Sequence, residues 1–270
     1  MSVVKRWPDG AQCAVSITVN FDGESVEQSV LPNQPLWGRY SFGRYGAQAG
    51  IVRLLDAFSR HGARATFFVP GWDAERYPHV MERIAADGHE VAGHGFAHED
   101  FSALARDAQR DVLERSEAAF ERAFGTRPAG WRAPEGLMSL ETRGILADRG
   151  YRYDSSYNDD DLPYLAGEAH GNRLVELPVF WSSSDRQYYS VYRRSSVVAT
   201  ALIEDFRAMY EVGGLCTLIL HPRGDYGSGR AERIHAVDAL LQAIRETPRV
   251  WLATCGEIAN WALDPASTSA

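Results

Sequence analysis

An α/β fold, with parallel strands, outer helices and a barrel-like sheet of about seven strands, is predicted by three features of this chain. Strand-like and helix-like segments alternate from one end to the other, the order produced by repeated strand–helix–strand units. Several strand-like runs end on a carboxylate, an imidazole or a guanidinium, the positions where such folds keep their chemistry. The 270 residues hold neither an internal repeat nor a linker-like stretch, so residues 1–270 are read as one domain, a size common for barrels.

The elements follow in order. Ala14 to Phe21 is rich in β-branched residues and predicts the first strand. Ile51, Leu54, Leu55 and Phe58 recur with helical period, and His61-Gly62 closes that helix. Ala65 to Val69 predicts a buried strand ended by Pro70-Gly71, and Asp73 to Asp87 predicts a helix ended by Gly88. A short apolar strand then runs into His94. Ser102 to Phe124 predicts a long amphipathic helix with Val112, Ala119, Phe120 and Phe124 facing inward, and Glu141 to Asp148 a shorter one before Gly150. Leu174 to Val179, Leu215 to Leu220 and Val250 to Thr254 complete the strands, with helices over Ala199 to Tyr210 and Ala231 to Arg245. Two long segments, Gly23 to Gly50 and Tyr157 to Asn172, read as loops, and loops of that length are usually functional or mobile. The tail from Asp264 to Ala270 is expected to be disordered.

Apolar residues are 45% and charged residues 24% of the chain, as in soluble globular proteins. A formal charge of −8 argues against nucleic acid or an anionic membrane as a partner, and no apolar run is long enough to span a bilayer. Met1 to Gly10 lacks the apolar core of a signal peptide. Cys13, Cys216 and Cys255 are an odd, scattered set that reads as reduced thiols. A cytoplasmic protein is the expectation.

His94 and His98 stand four residues apart after a strand, a spacing that lets two imidazoles share one metal ion on a helical turn. Asp22, beside Gly23 at the end of the first strand, completes an Asp/His/His set. Three protein ligands leave a position open for water or substrate, and a divalent ion there lowers the pKa of bound water toward about 7. Arg132 is held in a rigid loop by Pro134, where it can orient a carboxylate or bind a substrate oxygen. His221 ends the most apolar strand and can donate a proton to a leaving nitrogen. Taken alone, each of these residues has an ordinary structural explanation. Four stretches ending at equivalent strand tips do not.

Asn20-Phe21-Asp22, His94-Gly95-Phe96-Ala97-His98, Arg132-Ala133-Pro134-Glu135-Gly136 and Leu220-His221, in that order, resemble the motifs of the polysaccharide deacetylase superfamily, also called the NodB-homology or carbohydrate esterase family 4 group. The resemblance covers residues 12 to 256. It implies a distorted (β/α) barrel whose metal, usually zinc, is held by Asp22, His94 and His98. It further implies a carboxylate base oriented by Arg132, and His221 as the acid. Trp131 and Glu135 in the third motif, with Trp37 and Tyr45 in the aromatic Gly23 to Gly50 segment, are the expected substrate contacts.

The chain departs from the family where the first motif usually carries two neighbouring aspartates. Here only Asp22 is present, and Asn20 cannot accept a proton at neutral pH. Either Asp22 binds the metal and Glu24 or another carboxylate is the base, or Asp22 is itself the base and metal ligation is weakened. The Gly23 to Gly50 segment and Tyr153-Asp154-Ser155-Ser156 are similar to a branch holding peptidoglycan-deacetylase-like proteins, cyclic imide hydrolases and allantoinase-type enzymes, often homo-oligomers. The expectation is a metal-dependent hydrolase of a small linear or cyclic amide, imide or ureide. An N-deacetylase of amino-sugar polymers is the nearest rival, and a non-catalytic ligand-binding barrel is the rival of another class.

Overall fold

The computed structural model describes residues 7–31, 38 and 41–264. Its centre is a curled sheet of nine strands: β1 (Cys13–Asn20), β2 (Thr66–Val69), β3 (Glu90–Gly93), β4 (Gly130–Trp131), β5 (Tyr153–Asp154), β6 (Tyr164–Ala169), β7 (Asn172–Glu176), β8 (Leu215–Leu220) and β9 (Val250–Leu252). The strand order is β6-β7-β5-β4-β3-β2-β1-β8, with β9 also paired to β1. Every pairing is parallel except that of β6 with β7. A strand has two edges, and β8 runs along Ala14 to Val19 on one of them. β2 at Thr18–Asn20 and β9 at Cys13–Val15 therefore share the other, so β1 and β2 splay apart below the site.

The mixed α/β class and the parallel sheet are those expected, with more strands than anticipated. β4 and β5 are two residues each, too short to show a period of two. β6 lies inside the Tyr157 to Asn172 segment read as loop, where His170-Gly171 turns the chain into an antiparallel hairpin with β7. The helix expected over Asp73 to Asp87 is two, Gly71–Arg76 and Pro78–Ala86. Pro78 lacks the N–H that would carry the first into the second, and sits in the opening turn of the second instead. The long helix begins at Arg106, after a short turn at Phe101–Ala103, and ends at Gly125 with φ 71°. The last residues expected to be disordered, 265–270, lie outside the described part.

Side chains alternate across each strand, and the two faces build different cores. Val15, Ile17, Val19, Phe67, Val69, Leu218 and Leu220 face the layer of helices formed by Ile51–His61, Ser195–Val212 and Ile234–Glu246. Ala14, Phe68, Ala92 and Tyr153 face into the curl, which the helix Cys255–Leu263 closes from below with Cys255, Ile258 and Ala259. Cys13, Cys216 and Cys255 are free, buried thiols, and burial pushes Cys13 and Cys255 up to about 11, far from reactive.

One register row explains the position of the site. Val69, Gly93, Trp131, Asp154 and Glu176 are successive partners across five strands. The next residue along each chain therefore emerges at one rim, and His94, Arg132 and Ser155 are three of those residues. On the other side of the curl Val19 pairs with Leu220, which brings the ends of β1 and β8, and with them Asp22 and His221, to the same rim.

Candidate metal centre and active site

Asp22, His94 and His98 converge. Asp22 Oδ1 lies 3.5 Å from His94 Nε2 and 3.7 Å from His98 Nε2, and one ligand atom from each of the three falls within 4.8 Å of the others. The pair of histidines does not sit on a helical turn, as their spacing had suggested. His94 follows β3 directly, and a tight turn with Gly95 at φ 71° and His98 at φ 62° folds the second imidazole back beside the first.

His94 Nδ1 is 2.8 Å from the carbonyl oxygen of Arg132. A carbonyl only accepts, so Nδ1 holds a hydrogen, and in the neutral ring the lone pair is on Nε2, directed at Asp22. Nε2 of His94 and Oδ1 of Asp22 are both buried and both lack a hydrogen-bond partner. Two facing electron-pair donors left in this state cost stability unless a cation lies between them. Burial lowers His98 to about 4, only partly opposed by the negative charge of Asp22, so its ring is neutral at neutral pH. Burial acts first on Asp22 and would raise it, but the imidazoles of His94, His98 and His221 outweigh that and hold it well below the usual carboxylate range. A carboxylate and two imidazoles are a donor set that zinc takes, and the residues fit such an ion.

His221 faces this trio from the end of β8, with Nε2 3.6 Å from Asp22 Oδ2. Its other nitrogen is 2.6 Å from Asp185 Oδ1, forming a buried His–Asp dyad. Asp185 Oδ2 also accepts from the backbone N–H groups of His221 and Ser228, so one carboxylate fixes both the imidazole and the loop beyond it. Asp185 lies outside every expected site segment. The only sequence signal was a carboxylate a few residues past the strand-like run Leu174 to Val179.

Four expectations change. Glu24 is not placed as a base: Oε1 takes Arg44 Nε and Nη2 at 3.0 and 2.7 Å, and Oε2 takes the Tyr77 hydroxyl. Among the described residues Arg132 bonds no carboxylate. It is fully buried over the ring of Phe68, and its guanidinium donates to Thr18 Oγ1, Asn20 Oδ1, Ser155 Oγ and the Ser155 carbonyl. Asn20 thus stands where that guanidinium would otherwise meet a charge, and burial lowers Arg132 to about 10. Trp131 ends β4 one residue before Arg132 and so points the other way, edge-on to Phe101 at 4.9 Å and wholly buried, where it offers no surface to a substrate. Tyr45 packs on Gly224, with its hydroxyl 2.9 Å from Arg53 Nη1, and buttresses the loop after His221.

Glu135 stands at the rim, exposed, with both oxygens 2.6 Å from Arg186 Nη1. Arg186 also covers the ring of Tyr226 at 4.6 Å, and the Tyr226 hydroxyl is 3.0 Å from Asp22 Oδ2. Arg186, in the five-residue helix Asp185–Tyr189, and Tyr226, in the loop after β8, escaped the sequence reading because neither lies in a segment long enough to show a period. Trp37 lies outside the described residues.

Residues 40–153 match the family model described as polysaccharide deacetylase. Over 130 residues the chain is 35% identical to a peptidoglycan deacetylase-like protein of Gibberella zeae, a match covering 47% of this chain and 38% of that one. The matched stretch thus spans less than half of that relative's length. The crystal structure of a putative polysaccharide deacetylase from Mycobacterium smegmatis is 33% identical, with a TM-score of 0.87 over 96% of this chain and 93% of the other. An allantoinase structure is 25% identical, with a TM-score of 0.83 over 94% and 91%. The chain belongs to the polysaccharide deacetylase family, the NodB-homology group.

Proposed function

We propose that the protein is a metal-dependent hydrolase of a non-peptide carbon–nitrogen bond, acting on a small linear or cyclic amide, imide or ureide. The observation that carries this reading is the meeting of the Asp22/His94/His98 trio with the His221–Asp185 dyad. No member of the trio, nor His221, is more than 7% exposed, so the site is shielded from bulk water. The likeness to an allantoinase along nearly the whole chain supports this substrate class.

Asp22, His94 and His98 are the residues that would hold the ion, most naturally zinc, and its chemistry when bound is Lewis acidity toward a carbonyl and toward water. Asn20 is uncharged and Glu24 is committed to Arg44 and Tyr77, so His221 Nε2 is assigned the proton transfers. It takes the proton of the attacking water and returns it to the departing nitrogen, while Asp185 stabilises the imidazolium that forms between the two steps. Glu135 and Arg186 at the rim are the proposed substrate contacts. A cytoplasmic homo-oligomer remains part of the proposal, supported by composition and by the resemblance of the aromatic segment; among the described residues no helix is long and apolar enough to cross a membrane.

The family model and the peptidoglycan deacetylase-like relative equally support an N-deacetylase of amino-sugar chains. Assay of zinc-loaded protein against succinimide, hydantoin, allantoin and acetylated chito-oligosaccharides separates the two. Turnover confined to the small compounds is expected. Turnover of the oligosaccharides alone would replace this reading with its rival, and ligand binding without turnover of any of them would favour a non-catalytic barrel.

A further inference from the structure

We propose that Tyr226 is a positioning residue that aims Asp22 at the metal. This rests on the reading above, in which Asp22, His94 and His98 hold a divalent ion. Asp22 is surrounded by three imidazole nitrogens at 3.5 to 3.7 Å, yet the phenol of Tyr226 is the group at hydrogen-bond distance, 3.0 Å from Oδ2. A phenol O–H donates and a carboxylate accepts. That bond occupies Oδ2 and fixes the carboxylate's rotation, turning Oδ1, the oxygen without a partner, toward His94 and His98. It also meets the demand of Oδ2 for a donor, which leaves His221 Nε2 available to substrate rather than drawn into an ion pair with Asp22.

The phenol is itself held on several sides. The guanidinium groups of Arg186 and Arg223 lie 4.6 and 4.9 Å from its ring centroid, and the His221 ring meets it edge-on at 5.2 Å. Arg223 is anchored in turn by Glu27 and Asp225. Arg233 grips the carbonyls of Asp225 and Gly227 on either side of Tyr226, and Asp185 grips the N–H of Ser228. A tyrosine with its ring packed and the backbone restrained on either side this way presents its hydroxyl at a defined point. Partners behind a metal ligand commonly contribute 10- to 100-fold in affinity.

Tyr226→Phe keeps every ring contact and removes one atom. Metal-stripped wild type and Tyr226→Phe would be titrated with zinc against a chromogenic chelator, and their turnover compared at limiting and saturating zinc. The expected result is a zinc affinity weaker by roughly 10-fold or more, with turnover largely restored at saturating zinc. Unchanged zinc affinity in Tyr226→Phe overturns the proposal, and a turnover loss beside it would move the phenol's role to the substrate. A wild-type chain that takes up no divalent ion would end the metal reading along with this one. Tight zinc binding by wild type and an indifferent variant would end this one alone.

Discussion

Asp22, His98 and Glu135 adopt φ values of 37°, 62° and 55°, in the left-handed region that side chains with a Cβ avoid. Each such residue costs on the order of 1–3 kcal/mol and persists where its surroundings over-determine it. Here the turns are what bring a carboxylate and a second imidazole to the first. Asp73 secures the turn at Asp22 by accepting from Gly23 N and from Ser25 N and Oγ. Residue type and strand-end position were enough to nominate Asp22, His94, His98 and His221 from sequence. They were not enough for Trp131 or Glu24, whose roles depend on which face of β4 a side chain takes and on an arginine twenty residues away. His94→Ala and His98→Ala are each expected to lose bound metal and activity while staying folded, as read by elemental analysis and thermal melting. His221→Ala should keep its metal and turn over about 10²–10⁴-fold more slowly; wild-type turnover in that variant would remove His221 from the chemistry.

Among elements, the segment from Gly23 to Gly50 departs most from its expected character. Its described parts include a helix at Ser25–Val30 and two shorter ones, the α-helix Phe42–Tyr45 and the π-helix Gly46–Gly50, leading into Ile51–His61. Gly43 and Gly50 make its docking possible: a Cβ would lie 2.3 Å from the Gly23 carbonyl oxygen at the first and 1.8 Å from that of Pro222 at the second. The Glu24–Arg44 pair, its carboxylate buried and its arginine partly exposed, ties the two ends of the segment together, and the buried Glu27–Arg223 pair fastens it to the loop after His221. Glu24 is therefore a tether, and Glu24→Gln is expected to lower stability by about 1–3 kcal/mol through weakened charged hydrogen bonds, with turnover within a few-fold of wild type. Denaturant unfolding and the amide assay read the two effects separately, and a thousand-fold loss of turnover would restore Glu24 as the base. None of this was legible in periodicity, because the segment's helices are four to six residues long. The break at Pro78 was legible in principle, since a proline inside a helical pattern ends or kinks it.

At the scale of the whole molecule, proton uptake links the fold to the site. Unfolded, His98 titrates near 6.5; folded and buried, near 4. Between those values the unfolded chain binds the extra proton, so this contribution to stability is fully present above pH 6.5 and is lost as pH falls toward 4. Thermal midpoints of the metal-free protein are expected to drop between pH 7 and pH 5, less so in His98→Gln, and zinc should raise the midpoint in proportion to the logarithm of its concentration over Kd. An equal drop in variant and wild type would assign the acid sensitivity elsewhere.

The alternation of strands and helices, the place of the candidate site residues at the strand tips and the parallel sense of the sheet followed from the order of residues alone, because each depends on local period and on neighbours in the chain. Tertiary structure decided which charged groups meet. Arg132 finds Asn20 in place of a carboxylate, His221 finds Asp185, and Tyr226 finds Asp22 across 204 positions. Such pairings are set by register across a curled sheet and by the folding of loops on its rim, and neither leaves a periodic trace in the sequence.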